Sequence, residues 1–167
     1  MKKLLPISIC LLLLLNAFNL RGQIITQNIS QPSDSYSIIK TSSGKQVNGL
    51  QLGIVDVKAE LKKDSLETLL GRPFRFGKDF NVDIDVVKSA TIITENDTTF
   101  YLYDIYAKEA QSINLIFDKL FLPKHAKLYI YSDKQIYGPV TSEFNPKKEN
   151  EFWTDLIQGT KITLQVS

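Results

Sequence analysis

The sequence has very little cysteine and histidine, the residues that form disulfides, hold zinc and act as catalytic bases. Its only cysteine is Cys10 and its only histidine is His125. Cys10 lies inside an apolar stretch and is followed by five leucines, whereas a lipoprotein cysteine follows the apolar core. A zinc site draws on several cysteine or histidine ligands, so we expect none here. Without a disulfide, the chain must depend on a buried core for its stability.

Catalytic machinery is also missing. A hydrolytic triad needs a nucleophile, a base and an orienting acid that meet in space. His125 lies in the stretch Leu-Pro-Lys-His-Ala, which predicts an exposed turn before a strand. No Gly-x-Ser-x-Gly elbow occurs, and Ser42-Ser43-Gly44 is typical of a flexible polar turn. We therefore expect that the chain is not an enzyme, has no catalytic residue and holds no cofactor.

Carboxylates are the remaining candidates for a metal site. Calcium prefers clustered oxygens, which in this sequence occur at Asp79, Asp83, Asp85 and the turn Glu95-Asn96-Asp97. Their spacing lacks the glycine and terminal glutamate of an EF-hand loop, and Asp83 and Asp85 are typical of the wet face of a strand. We expect no metal site, and calcium at these oxygens is the one alternative left open.

Residues 1–22 have the three parts of a secretory signal peptide. Two lysines precede an apolar stretch at residues 4–15, and a polar exit follows. The apolar stretch is shorter than the roughly 20 residues that a membrane-spanning helix needs. We predict cleavage after Gly22 and before Gln23, with Ala17 as the alternative and an uncleaved anchor as the competing hypothesis. The protein is then secreted to the periplasm or the extracellular space, with no stable membrane association after cleavage.

Removal of this signal peptide changes the charge of the protein. The whole chain has 20 basic and 18 acidic side chains, and the loss of Lys2, Lys3 and Arg21 leaves 17 basic ones. The remaining chain is nearly neutral and has no block of lysine and arginine. This excludes an electrostatic footprint for nucleic acid or anionic lipid, and we expect neither as a partner.

The exported chain divides into three parts by composition. Residues 23–49 are rich in Ser, Thr, Gln and Asn and predict a polar, loosely ordered leader. Residues 50–73 form a connecting segment with a short helix. That helix is expected to begin at Asp64, where Asp-Ser-Leu-Glu resembles a capping box, and to end at Gly71. Residues 74–167 form the main domain.

The main domain has the sequence pattern of short β-strands. Turn residues separate apolar and β-branched runs at intervals of about 8–12 residues, which indicates an antiparallel β-sandwich, jelly-roll-like, of about eight strands. Gly138-Pro139 is interpreted as a strand breaker because proline cannot donate to a ladder. The predicted strands cover residues 80–86, 91–94, 98–107, 113–117, 127–131, 135–137, 152–157 and 161–166.

Aromatic residues offer one candidate binding face. Tyr101, Tyr103 and Trp153, with Phe100 and Tyr106 nearby, could stack against sugar rings. Such runs are also typical of cross-strand packing within a core. If the aromatic residues stack against sugar rings, the protein is an independent extracellular binding module for carbohydrate or for a cell surface.

Several motifs of the main domain occur together in one known family. They are Arg-Pro-Phe-Arg-Phe-Gly at 72–77, Leu-Pro-x-x-Ala-x-Leu-Tyr-x-Tyr at 122–131, and Gly-Pro-x-Thr at 138–141. Their order resembles the non-catalytic N-terminal region that precedes the protease domain in secreted bacterial trypsin-like serine proteases of the lysyl endopeptidase type. The similarity covers about residues 57–166.

The resemblance implies an accessory or pro-region that assists folding, latency or substrate approach of a protease domain. In this family the catalytic domain follows the region, and this sequence contains no position that matches its His, Asp or Ser. We therefore expect a non-enzymatic domain whose partner is a protease domain supplied in trans. A truncated protease, a fragment and a stand-alone copy of the domain are alternatives that the sequence leaves open.

Overall fold

The structure of the protein is a computed structural model that describes residues 24–28, 46–73, 75, 77–145 and 151–167. The predicted signal peptide, its cleavage point between Gly22 and Gln23, Cys10 and the Ser42-Ser43-Gly44 turn lie outside the described residues.

The described residues are mainly β, as the sequence predicts. They form two helices, a 3₁₀ turn and eleven strands. The helices are α1 (Val57–Leu69) and α2 (Val86–Ser89), and the 3₁₀ turn is Ser142–Phe144. The strands are β1 (Thr26–Asn28), β2 (Gly49–Gln51), β3 (Thr91–Glu95), β4 (Thr98–Tyr106), β5 (Ser112–Ile113), β6 (Ile116–Phe117), β7 (Leu128–Tyr131), β8 (Gln135–Val140), β9 (Phe152–Trp153), β10 (Ile157–Gln158) and β11 (Lys161–Val166).

Seven strands form one large mixed sheet in the order β1-β8-β7-β11-β4-β2, with β3 also paired to β4. All pairs in this sheet are antiparallel except β2 with β4, which run parallel. The prediction of a purely antiparallel architecture is therefore wrong for this one pair of strands. The segment predicted as a polar leader supplies β1 and the first residue of β2.

Four short strands form a separate ribbon. β5 pairs with β10 and β6 pairs with β9. Between the two pairs, the Leu115 N–H donates to Thr154 Oγ1 at 2.9 Å and the Thr154 N–H donates to the Leu115 carbonyl at 3.0 Å. The predicted strands at 113–117 and 152–157 are thus each split in two, and residues 112–117 and 152–158 together form one antiparallel ribbon.

The main core lies between the large sheet and this ribbon. Tyr103 and Ile105 of β4 face Leu164 and Ile162 of β11 across the ladder, and all four are buried. We call their side of the sheet the core face. The ribbon contributes buried Ile113 and Ile157 to the same cluster. This packing positions the ribbon over the core face.

The opposite side, which we call the second face, also holds buried residues. Side chains alternate along a strand, so Leu102 and Gln165, which are cross-strand partners, lie on this side. Both are almost fully buried. The central strands β4 and β11 thus carry buried side chains on both faces.

The hairpin between β3 and β4 shows a predicted turn that is confirmed. Glu95 pairs with Thr98, and the two residues between them, Asn96 and Asp97, both have positive φ values of 46° and 61°. This is the conformation of a type I′ turn, which asparagine and aspartate tolerate well.

The strand predicted at residues 80–86 is wrong. Phe80 and Val82 are exposed, and the segment forms no ladder before α2 begins at Val86. The Asp85 side chain instead accepts a hydrogen bond from the Lys88 N–H and caps this short helix. Alternation of apolar residues predicts a strand only where a neighbouring strand is present to pair with it.

The start predicted for the helix is also wrong. Asp56, not Asp64, caps α1 by accepting a hydrogen bond from the Ala59 N–H at 3.0 Å. Asp64 lies within the helix, where its side chain accepts from Arg75.

Gly138-Pro139 does not end a strand, because β8 continues through both residues to Val140. The ladder is irregular at this point, with a register shift between Leu128 and Ile130 of β7. A Cβ atom on Gly138 would lie 2.8 Å from the Leu128 carbonyl oxygen. Glycine therefore permits the close approach of β8 to β7, and the irregularity accommodates the proline.

Candidate functional site

The three aromatic residues of the predicted binding face lie in different environments. Tyr103 is only 7% exposed and belongs to the main core. Tyr101, two residues earlier on β4, is half-buried. Trp153 is 60% exposed and lies on β9 in the ribbon. The structure does not bring these three rings onto one exposed face.

Trp153 instead forms an apolar surface with its partner across the ribbon. Ile116 of β6 pairs with Trp153 and is 50% exposed. The Trp153 Nε1–H donates to Glu151 Oε2 at 3.0 Å, which fixes the ring edge. Phe117 and Phe152, the next pair, point the other way and lie 6.2 Å apart between ring centroids. We call the outward pair of Trp153 and Ile116 the Trp153 surface.

A polar cleft of about 670 Å³ lies on the second face of the large sheet, where β2, β4 and β11 run side by side. Asp104 is one of its lining residues. Lys161 Nζ lies 2.7 Å from Asp104 Oδ2, and the Thr163 hydroxyl donates to Asp104 Oδ1 at 2.6 Å. The cleft is lined by, among others, Gln46, Asn48, Gln51, Asp104, Tyr106 and Lys161.

Gly49 permits β2 to lie close to β4 beside this cleft. It pairs with Asp104 in the parallel ladder. A Cβ atom at Gly49 would contact the Asp104 carbonyl oxygen and would lie 2.7 Å from Asp104 Cβ. Any larger residue would push the strands apart, so glycine is required for the close pairing of β2 with β4.

The densest charge cluster lies on α1. Glu60 and Asp64 share one helix face, and their carboxylates lie 2.7 Å and 2.6 Å from Arg75 Nη2. Lys78 lies 2.9 Å from Glu60. Hydrogen bonds from Lys78 and Arg75 lower the pKa of Glu60 to about 2. The two carboxylates in turn raise the pKa of the Arg75 guanidinium. These contacts join α1 to the segment that follows it.

The remaining candidate residues lie apart from one another. His125 is exposed in a turn with a positive φ of 79°. Asp85 caps α2 and forms an ion pair with Lys88 at 2.8 Å, and the side-chain hydrogen bond from Lys88 lowers the pKa of Asp85. Asp79 and Asp83 are exposed. The described part of the chain contains no group of three or more His, Cys, Asp or Glu side chains that could hold a metal ion.

No helix among the described residues is long and apolar enough to cross a membrane. Comparisons of the chain with known protein families, with characterised proteins and with solved structures find no match.

Proposed function

We propose that the protein is an exported, non-enzymatic domain that acts by binding a protein partner. Its role would correspond to that of the N-terminal accessory region of secreted trypsin-like serine proteases, and its partner would be a protease domain supplied in trans. Residues 1–22 act as the signal peptide in this proposal, and the secreted chain begins at Gln23.

The Trp153 surface supports a protein partner. A tryptophan with its ring edge fixed by Glu151 loses little further freedom on binding. Tryptophan is also enriched among the residues that dominate binding energy at protein interfaces. Ile116 beside it, and Leu156 in the segment between β9 and β10, are similarly exposed. Adjacent exposed apolar side chains can form the apolar centre of an interface.

A sandwich architecture is part of the same proposal. The ribbon packs on the core face through Ile113 and Ile157, and Leu102 and Gln165 are buried on the second face. Rigid packing beneath the ribbon would hold the Trp153 surface in a fixed orientation for its partner.

A binding experiment with purified protein tests this proposal. The probe is the isolated catalytic domain of a lysyl endopeptidase-type protease. It is immobilised in its folded form to measure binding by interferometry, and a denatured sample is used to measure the yield of refolding. Trp153→Ala should weaken binding about tenfold or more and remove any gain in refolding yield. Ile92→Ala is the matched control, because Ile92 is a similarly exposed strand residue on β3. Absence of binding by the unaltered protein, or equal effects of the two variants, would overturn the proposal.

A further inference from the structure

We propose that the polar cleft on the second face is a binding site for a neutral carbohydrate chain. This site is separate from the Trp153 surface, and the inference does not depend on the proposed function. A carbohydrate-binding role is expected from the aromatic residues of the sequence, but the structure supports it at Tyr106 rather than at Tyr103 or Trp153.

Two cross-strand rows of residues run beneath the cleft, and all of them except the buried Thr163 line it. In the first row, Gln51 of β2 pairs with Tyr106 of β4, which pairs with Lys161 of β11. In the second row, Gly49 pairs with Asp104, which pairs with Thr163. Paired residues lie on the same face of a sheet, about 5 Å apart. The first row therefore presents an amide beside an aromatic ring, and the Lys161 ammonium at its end turns towards Asp104 of the second row, 2.7 Å away.

The charges in the cleft favour a neutral ligand. The carboxylate of Asp104 is neutralised by Lys161 at 2.7 Å and accepts the hydrogen bond of Thr163. An anionic ligand that paired with Lys161 would lie beside Asp104, and a cationic ligand would lie beside Lys161. A pair of neighbouring hydroxyl groups, in contrast, can accept from the ammonium and donate to the carboxylate together. This geometry selects a neutral polyhydroxylated compound over a phosphate or a charged peptide.

The other lining groups match the same chemistry. Gln46 and Gln51 carry side-chain amides with both a donor and an acceptor, and Asn48 offers its amide oxygen while its Nδ2–H donates to the Ser89 carbonyl at 3.0 Å. Tyr106 is more than a third exposed, so its ring can cover the apolar C–H side of a sugar ring. The cleft is shallow and open to solvent, so a ligand would lie along the surface of the sheet and not in an enclosed cavity. The cleft thus combines hydroxyl-binding groups with one aromatic platform.

The cleft and the Trp153 surface lie on different parts of the fold. The ribbon with Trp153 packs on the core face, whereas Asp104, Tyr106 and Lys161 alternate with core residues and lie on the second face. A substitution at one site should leave the other site unchanged.

A glycan array followed by calorimetry tests the inference. The purified protein is probed against neutral glucans, mannans and xylans and against acidic alginate and pectin fragments. We expect binding to a neutral class only, and calorimetry then uses the best oligosaccharide of that class. Gln51→Ala should weaken this binding about fivefold to tenfold through the loss of one amide contact. Tyr106→Ala should weaken it about tenfold or more.

Two further variants make the result specific. Tyr106→Phe keeps the aromatic platform and should retain most of the affinity, while Trp153→Ala should bind the glycan like the unaltered protein. Thermal unfolding of each variant confirms that it is folded. If Tyr106→Ala proves unstable, Gln51→Ala still tests the site, because it removes an exposed side chain. The proposal is overturned if no glycan binds, if only acidic glycans bind, or if Trp153→Ala abolishes binding while Gln51→Ala and Tyr106→Ala do not.

Discussion

At the scale of single residues, Gln165 lies in an environment that suits an apolar side chain better. It is 1% exposed on β11, with Leu102 and Tyr129 as its cross-strand neighbours. Its Oε1 atom is buried and accepts no hydrogen bond from any described residue. A buried polar group without a partner destabilises the folded state by about 1–3 kcal/mol.

Gln165→Met should therefore raise the free energy of unfolding, by about 1 kcal/mol, because methionine has a similar shape and no polar atom to desolvate. Urea denaturation of the two proteins measures this difference. Thr163→Val is the matched control on the same strand. It removes the hydroxyl that donates to Asp104 at 2.6 Å and should lower stability by about 1–2 kcal/mol. A less stable Gln165→Met protein would show that the amide makes a favourable contact.

The residue scale also explains what could be predicted of the candidate sites. Aromatic residues at 101, 103 and 153 are visible in the sequence, but alternation alone does not tell which side of a strand faces the core. Tyr103 is buried because it pairs with Leu164 on the core face. Side chains alternate between the two faces of a strand, so Asp104 and Tyr106 lie on the side opposite Tyr103 and face the cleft. Only the strand pairing distinguishes these positions, and that pairing links residues far apart in sequence.

At the scale of elements, helix α1 depends on charge more than on burial. None of its residues is buried. Arg75 joins it to the following segment through Glu60 and Asp64, at 2.7 Å and 2.6 Å. Helices gain most of their stability in proteins from packing an apolar face. The described residues of α1 bury no such face, and their contacts with the following segment are ion pairs.

The Arg75 contacts should make α1 sensitive to acid. The pKa of Glu60 is lowered from 4.5 to about 2 by its hydrogen bonds to Lys78 and Arg75. A lowered pKa in the folded state means that the contribution is fully present above pH 4.5 and is lost as the pH falls towards 2. We expect hydrogen-exchange protection of residues 57–69, corrected for intrinsic rates, to be constant from pH 7 to about 5 and to fall below that.

Substitution of Arg75 separates this effect from general acid unfolding. Arg75→Ala should reduce protection of α1 at pH 7 and weaken its dependence on acid, since Lys78 still contacts Glu60 at 2.9 Å, while β4 and β11 remain protected. Arg72→Ala is the control, because Arg72 is largely exposed and its contact with Glu67 is longer, at 3.4 Å. Equal protection in the two variants would mean that Arg75 does not hold the helix.

The same scale shows why some predicted elements fail. The two strands on either side of the Asn96-Asp97 turn are predicted correctly because the turn and both strands are local in sequence. The strand predicted at 80–86 has the same alternation but no neighbour. Gly138-Pro139 lies inside β8 because the register shift opposite it, on β7, accommodates the proline. Local patterns predict strand type well, whereas partners decide whether a strand forms.

At the scale of the whole molecule, the order of strands in the sheet is the feature that sequence patterns do not contain. β11 at the end of the chain lies between β4 and β7, and β1 near its beginning pairs with β8. The polar composition of residues 23–49 predicts no strand at β1. Its three residues have little apolar surface, and β8 supplies the ladder that makes them a strand.

β1 therefore gives a test of how the sheet is completed. The Thr26 hydroxyl donates to Asp155 Oδ2 at 3.1 Å and Gln135 Nε2 donates to Asn28 Oδ1 at 3.2 Å, in addition to the ladder with β8. Deletion of residues 23–28 from the secreted chain would leave β8 as an unprotected edge. We expect the free energy of unfolding to fall by about 2–3 kcal/mol, through the loss of a few hydrogen bonds.

Exposure of β8 should also promote association, because unpaired edge strands pair with other chains. Size-exclusion chromatography over a range of concentrations measures this, with urea denaturation reporting stability. Gln27→Ala is the matched control: it changes an exposed side chain of β1 and leaves the backbone ladder in place, so it should remain monodisperse and nearly as stable as the parent. If the deleted protein matched this control in both measurements, β1 would add nothing to the sheet, and the large sheet would be complete at β8.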